Sequence, residues 1–452
     1  MTLPASVILC AAALTGFIND AHAKVPATKP NILIFYLDDM SWAQPGAYGG
    51  KLVPTPAMDA IARNGVRFTD GYVSACVCGP SRVALLTGRY QARSGHDANG
   101  GGEGREMVLS ETTIAQKMKS AGYTTGIVGK WHLGASSPDL LPGARGFDYA
   151  IGSVGNVDGV DQGRFFRGNE LIYDLPGEPI TSPVYRDEAV KFITANRAQP
   201  WLLYMSFNAV HTPHVASPHW LEKFKDLPQR TRNYAANIAE ADEAIGAVMA
   251  KLRDLRLEED TLVFVISDNG GMSWTDMGGL RGRKWYLWEG GVRVPWMAQW
   301  KGRIPAGVVS NEPVIQIDVL PTALAAAGVV MKPEWQIDGV NLLPLLEGKT
   351  QRLAPRELYF RFGTQYAVRQ GDWKLVKASA AMQPMLVNLA KDPGEKTDLT
   401  AKEPARVAAL QALYDRWNAT MQPPRWKDRR WDGHKELQAA ERANRERQNK
   451  AK

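Results

Sequence analysis

A chain of 452 residues with 44% apolar and 22% charged residues has the make-up of a folded globular protein, which excludes a disordered chain and allows one large α/β domain with an appendage or two to three ordinary domains. The formal charge of +7 is concentrated at one end, since residues 421–452 hold ten Lys/Arg against five acids. The body is nearly neutral, so a nucleic-acid function is not indicated.

Val7 to Ile18 is apolar but too short to span a bilayer, and Ala21-His22-Ala23 is a small-x-small cleavage pattern before Lys24. Residues 1–23 therefore read as a secretory signal, though without a basic residue ahead of the apolar run; an uncleaved anchor is the alternative. Removing the signal removes Cys10 and leaves Cys76 and Cys78, which are too close in sequence to make a good disulfide. A periplasmic or secreted protein is expected, with a fold that does not depend on disulfides.

Asn31 to Leu37 is a continuous apolar run of strand length and reads as a buried parallel strand ending in Asp38-Asp39. Adjacent carboxylates at a strand end repel unless a cation lies between them, and hard oxygen ligands suit Ca²⁺ or Mg²⁺. A solvated turn is the plain alternative. Thr55 to Asn64 reads as a helix with Pro at its start and Gly65 after its end, and Val66 to Thr69 as a strand. Cys78-Gly-Pro-Ser-Arg82 then runs into an apolar helical segment. This places Cys78 at a helix N-terminus, where the dipole and free N–H groups favour an anion, with Arg82 one turn along. A buried structural Cys is the plain alternative.

Residues 93–104 are rich in Gly and polar side chains and read as a mobile loop near Cys78, and Ser110 to Gly122 as a capped helix closed by Gly. Tyr123 to Val128 is a short strand ending in Gly129-Lys130-Trp131-His132-Leu133-Gly134, with Lys130 and His132 on the same side of an extended segment. Residues 135–180 show little periodicity and read as rim loops. Ser182 to Ala195 looks helical, and Pro200 to Phe207 is another buried strand, followed by His211 and His214. His219 reads as structural. Tyr234 to Leu255 has apolar residues at helical spacing, and Thr261 to Ser267 is a strand ending in Asp268-Asn269, a third source of oxygen ligands. Lys284 lies five residues before Glu289-Gly-Gly-Val-Arg293. Beyond residue 350, Glu357–Phe362, Gln365–Lys377 and Met385–Leu389 read as short antiparallel strands and Pro404 to Asn418 as a helix covering one face. The tail from Met421, with Trp426 and Trp431 amid charges, reads as solvated.

The order and wording of these motifs closely resemble the formylglycine-dependent sulfatases of the alkaline phosphatase superfamily. The defining run is Cys-x-Pro-Ser-Arg followed by Leu-Thr-Gly-Arg, and Gly-Lys-Trp-His-Leu-Gly is a second family motif. The resemblance implies an α/β fold with a large, mostly parallel sheet sandwiched by helices and a smaller C-terminal antiparallel-sheet subdomain. The corresponding segments are a signal peptide at 1–23, a catalytic domain at 24–350, the subdomain at 351–420 and a basic tail at 421–452. It also implies that Cys78 is converted to formylglycine by a formylglycine-generating or sulfatase-maturing enzyme, and that Ca²⁺, or alternatively Mg²⁺, is held by Asp38, Asp39, position 78, Asp268 and Asn269.

By the same resemblance Lys130 holds the nucleophile and sulfate oxygens, Lys284 binds sulfate, and Arg82 is a catalytic residue that adds fixed positive charge. His132 takes the proton that expels sulfate from the covalent intermediate, His211 contacts the ester and protonates the leaving oxygen, and Asp268 activates the nucleophile. The expected substrate is a sulfate monoester, of a sulfated saccharide or small molecule. A phosphonate or phosphate monoester hydrolase, or a saccharide-binding protein with an unmodified Cys78, are the alternatives.

Overall fold

The run Asn31–Leu37 forms β1, and all seven of its residues are buried. Its side chains alternate between two cores: Ile32, Ile34 and Tyr36 enter one, Leu33, Phe35 and Leu37 the other. A strand that is apolar on both faces can satisfy both only with helices above and below it. The computed structural model describes residues 29–100, 104–157, 165–173, 175, 180–428 and 430–431. The signal expected at 1–23, Cys10 within it, and the charged run after 431 lie outside the described residues.

The strands that follow are β2 (Val66–Phe68), β3 (Gly71–Tyr72), β4 (Thr124–Gly129), β5 (Tyr149–Ser153), β6 (Phe165–Arg167), β7 (Glu170–Ile172), β8 (Trp201–Ser206), β9 (Thr261–Ser267), β10 (Trp296–Gln299), β11 (Val308–Ser310) and β12 (Val314–Ile315). Ten strands form one sheet in the order β11-β2-β10-β9-β1-β8-β4-β5-β6-β7. Its centre, β9-β1-β8-β4-β5, is parallel. The antiparallel β10 lies beside β9, and β6 and β7 make a hairpin at the far edge. Helices Cys78–Thr87, Ile114–Ser120 and Val319–Ala326 bury apolar residues on one face, and helices Pro56–Arg63, Thr181–Ala195 and Gln229–Asp254 on the other.

Register decides where the functional ends meet. Leu37 pairs with Ser267 and Tyr36 with Ser206, while Gly129 also pairs with Ser206. The residues after β1, β4, β8 and β9 therefore leave the sheet at one edge, the carboxyl ends of parallel strands, where α/β sheets collect function.

Three expectations need correction. Residues 135–180 are not all loop, since β5 and the β6–β7 hairpin lie there; runs of three to five residues carry too little periodicity to be seen. The helix expected from Ser110 begins at Ile114, because Thr113, not Ser110, makes the capping box with Gln116. The helix expected from Tyr234 begins at Gln229, its first turn being polar.

A second sheet, β13 (Glu357–Phe362), β14 (Gln365–Gln370), β15 (Trp373–Lys377) and β16 (Met385–Asn388), is an antiparallel meander. Helix Pro404–Asn418 packs Leu410 and Tyr414 on Val368, Leu375 and Leu386 of one face. The other face, with Phe360, Ala367, Val376 and Val387, packs on Tyr72, Val77, Ala84 and Trp288 of the large layer. A buried charge cluster crosses this seam. Lys374 Nζ lies 2.8 Å from Glu289 Oε1 and 3.0 Å from Glu395 Oε1. Tyr72 OH donates to Glu289 Oε2 at 2.6 Å, and Arg293 reaches the same carboxylate at 3.5 Å. Burial would raise Glu289, yet Lys374, Arg293 and Arg369 hold it down to about 2.

Removing the central cation of such a cluster leaves buried carboxylates uncompensated. Lys374→Met is expected to cost about 3–5 kcal/mol in urea or thermal unfolding. A loss below about 1 kcal/mol, the range of an exposed pair, would show that the seam does not depend on it.

Candidate active site

Helix Cys78–Thr87 is buried along its whole length. Its first residue, Cys78, points at the edge where β1 and β9 end: the thiol donates to Asp38 Oδ1 at 3.3 Å. Asp38, Asp39, Asp268 and Cys78 can each offer one ligand atom within 4.8 Å of the others, and all four are buried. Like charges this close and this dry demand compensation. Each carboxylate has its own cation. Lys130 Nζ contacts Asp38 Oδ2; Lys284 Nζ lies 2.7 Å from Asp39 Oδ1; Arg82 binds Asp268 Oδ2 through Nε at 3.1 Å and Nη2 at 2.7 Å.

Further hydrogen bonds orient these cations. Arg82 Nη1 donates to Ser206 Oγ and to the Lys130 carbonyl, and the guanidinium lies over the Tyr36 ring. Lys130 Nζ also donates to Asn156 Oδ1. Ser206 and Asn156 had no signal in the sequence: one ends a strand with an ordinary residue and the other sits in an aperiodic rim.

The electrostatics follow from burial and pairing. Burial opposes the charge on Asp38, but Lys130, His211, Arg82 and Lys284 hold its carboxyl well below the usual range. Asp268 is pushed upward by burial and by Asp38. Burial alone would lower Lys284, yet Asp39 and its neighbours raise it. For Cys78 the helix N-terminus does not prevail: burial, Asp268 and Asp38 push the thiol up, so the unmodified side chain is neutral.

The two histidines after strand ends face the same cluster. His211 Nε2 lies 3.8 Å from Asp39 Oδ2, and Nδ1 is hydrogen-bonded at 2.5 Å to the Thr212 carbonyl, which fixes the proton on Nδ1. Burial and Lys284 lower its pKa. His132 is held well below the usual range by burial, Lys130 and Arg82, and its buried Nδ1 has no partner. Asp39 and His132 both adopt φ 62, an uncommon left-handed conformation that collects at functional sites. His214 packs edge-on to Tyr234 at 5.1 Å, and His219 is an exposed surface residue 3.8 Å from Glu243. His219 was read as structural, and the ten residues predicted for the site converge on one spot.

That spot suits a hard cation. Its donors are carboxylate oxygens and one amide, and Asn269 donates its Nδ2 to Asp39 Oδ1 at 2.7 Å while its buried Oδ1 has no partner. A buried carbonyl without a partner among the described residues, beside three carboxylates, is a donor of the oxygen type that Ca²⁺ and Mg²⁺ take.

The tail residues 421–431 correct an expectation. Met421 and Trp431 are buried and Trp426 is half-buried, while Gln422, Pro423, Arg425 and Lys427 stay exposed, and the described residues of this stretch brace the loop after helix Cys78–Thr87. Gln422 N and Arg425 N donate to the Ala92 and Gly95 carbonyls at 3.0 and 2.9 Å. Arg425 Nη1 reaches the Glu106 carbonyl at 2.7 Å, and Trp426 Nε1 the Asn99 carbonyl at 3.1 Å. Asn99 Oδ1 in turn accepts from Gly79 N at 2.8 Å, one of the free amides at the helix start. The described part of the 93–104 loop is thus tied down on both sides.

Asn99→Ala removes an N-cap-like bond and is expected to cost about 1 kcal/mol, with faster hydrogen exchange at the Gly79 amide. Truncation after Met421 is expected to speed exchange across residues 91–100 while leaving β1 and β9 protected. Unchanged exchange in that loop would show that the tail does not brace it.

Comparison with known proteins places this geometry in context. A family model described as Sulfatase matches residues 30–329, and one described as N-sulphoglucosamine sulphohydrolase, C-terminal, matches residues 281–420. The chain is 37% identical over 383 residues to an N-acetylgalactosamine-6-sulfatase of Canis lupus familiaris, covering 76% of this chain and 71% of that one. It is 32% identical over 396 residues to an arylsulfatase of Hemicentrotus pulcherrimus, covering 80% and 70%. Among solved structures it is similar to Ps i-CgsB in complex with k-i-k-neocarrahexaose, with a TM-score of 0.81, 27% identity, and coverage of 88% of this chain and 94% of that chain.

Proposed function

The chain belongs to the sulfatase family and hydrolyses sulfate monoesters, and on that premise we propose that it acts on sulfated saccharides, with a divalent cation and a formylglycine derived from Cys78. The observation that carries this reading is the buried set Asp38, Asp39, Asp268 and Cys78, with Asn269 Oδ1 left without a partner beside it. Similarity to an N-acetylgalactosamine-6-sulfatase and to a structure with a bound carrageenan oligosaccharide supports the substrate class.

Asp38, Asp39, Asp268, Asn269 and position 78 would hold Ca²⁺, or alternatively Mg²⁺, which supplies positive charge to nonbridging sulfate oxygens. Conversion of Cys78 by a maturing enzyme supplies an oxygen nucleophile where the neutral, buried thiol is a poor one. The chain's own groups do the rest. Lys130 and Lys284 present ammonium groups to the sulfate oxygens, and Arg82 fixes Asp268 so that its carboxylate faces the nucleophile. His211, anchored through Nδ1, turns Nε2 to the ester oxygen and protonates the departing alcohol. His132, neutral and with Nδ1 unpartnered among the described residues, takes in this reading the proton that expels sulfate. Residues 1–23, read as a signal, and the absence among described residues of a helix long and apolar enough to cross a membrane fit a periplasmic or secreted location.

Mass spectrometry of the peptide from Cys76 to Arg82, taken from the native cell, is expected to show Cys78 converted. An intact Cys78 overturns the mechanism and leaves a saccharide-binding protein. Higher kcat/KM on a phosphonate or phosphate ester than on the matching sulfate ester would instead favour the phosphorus-ester reading. Chelation is expected to abolish turnover, and added Ca²⁺ or Mg²⁺ to restore it.

His211→Ala separates leaving-group protonation from binding. Turnover of a saccharide sulfate, whose alcohol needs a proton, is expected to fall on the order of 10²–10⁴-fold, and that of a nitrophenyl sulfate far less. The acid form of His211 is lost as pH rises through its lowered pKa. Saccharide turnover is therefore expected to decline at a pH below the ordinary histidine value of about 6.5, with nitrophenyl sulfate turnover less affected. Equal losses on both substrates would remove His211 from the acid role.

A further inference from the structure

Beside the candidate active site lies a second cavity of about 120 Å³, lined among others by Gln44, Lys51, Arg230, Tyr234, Trp274 and Thr275. Its walls are the loops that follow β1 and β9 and the first turns of helix Gln229–Asp254. It therefore opens at the same sheet edge as Asp39 and Asn269. The two sites share a partition. A Cβ placed on Gly271 would lie 2.3 Å from Thr275 Oγ1 and 2.7 Å from Ser41 Cβ, so the cavity wall presses directly on the segment after Asn269. On the other side Tyr234 stacks edge-on against His214, three residues from His211, and donates its hydroxyl to Gln44 Oε1 at 3.3 Å.

The chemistry of the lining is that of an anion site with an apolar floor. The Arg230 guanidinium lies 3.7 Å over the Trp274 ring. Stacking holds its plane and leaves its in-plane N–H groups free to form a bidentate pair. Arg230 and Lys51 are both exposed, and neither has a carboxylate partner among the described residues. The one acid in the lining, Asp276, already accepts from Gly278 N at 2.8 Å. The half-buried Trp274 adds aromatic surface against which a pyranose ring can pack.

We propose that this cavity is a subsite for an anionic sugar residue adjoining the one whose sulfate ester is cleaved, with Arg230 binding its carboxylate or second sulfate and Trp274 holding both the guanidinium and the ring. The proposal rests on the sulfatase reading above. It makes the protein selective for acidic oligosaccharides over lone sulfated sugars, and it assigns that selectivity to residues outside the hydrolytic cluster.

The test compares wild type with Arg230→Gln and Trp274→Ala on four probes: a nitrophenyl sulfate, a sulfated hexosamine, that hexosamine joined to a uronic acid, and that hexosamine joined to a second sulfated sugar. The expected result is a fall of about tenfold in the selectivity for a charged disaccharide over the nitrophenyl sulfate, carried by KM. Loss confined to the uronate probe identifies a carboxylate, and loss confined to the disulfated probe identifies a sulfate. An unchanged selectivity ratio in both variants overturns the subsite.

Calorimetric binding of the two disaccharides to Cys78→Ser protein, with and without Arg230→Gln, reads the subsite independently of turnover. A tenfold weaker affinity in the double variant supports it, and equal affinity overturns it. Wild type that binds these probes through Arg230 but hydrolyses no sulfate ester would overturn the catalytic reading while upholding the subsite.

Discussion

Three buried carboxylates, Asp38, Asp39 and Asp268, converge on the start of one helix, and the folded state tolerates them because each meets a buried cation. Dry like charges at this separation would otherwise protonate or force the strand ends apart. The cations come from distant places: Arg82 from the helix, Lys130 from the end of β4 and Lys284 from a late loop. Charge balance therefore ties together four regions that share no local sequence.

The second sheet belongs to the same economy of support. Its inner face packs on Val77, just before the helix that begins with Cys78, and on Ala84 within it, so that helix is a layer between two sheets. The Glu289–Lys374–Glu395 cluster holds that layer closed from one side, and the strap from Gln422 to Trp426 holds the loop beyond it from another. Positioning a reactive atom to a fraction of an ångström requires a rigid surround. Here much of the surround lies more than two hundred residues away from Cys78 in the chain.

Some of this was legible from residues alone. β1 and β9 occupy the spans that their apolar runs mark, because a strand buried on both faces needs apolar residues throughout its middle, with Asn31, Thr261 and Ser267 only at the ends. The short strands β5 to β7 were missed, as three-residue elements leave no periodic trace. The packed tail was missed because Trp426 and Arg425 sit in a highly charged context whose composition matches solvated segments. Within the site, Asp38, Asp39, Lys130, Asp268 and Asn269 were visible as polar residues just past apolar strands, whereas Asn156, Ser206 and Asn99 carry no such mark.

The sequence by itself determined which strands are central, which residues end them, and hence the set of acids, bases and one cysteine available for chemistry. These are properties of local pattern: an apolar run must be buried, and the polar residue that ends it must emerge at an edge. Only the tertiary structure decided that Leu37 stands beside Ser267, that each carboxylate has a particular cation, that Asn269 keeps an oxygen unpartnered, and that Cys78 is a neutral thiol despite its helix N-terminus. Those facts depend on burial and on distances between segments far apart in sequence, and charge energies change steeply with both.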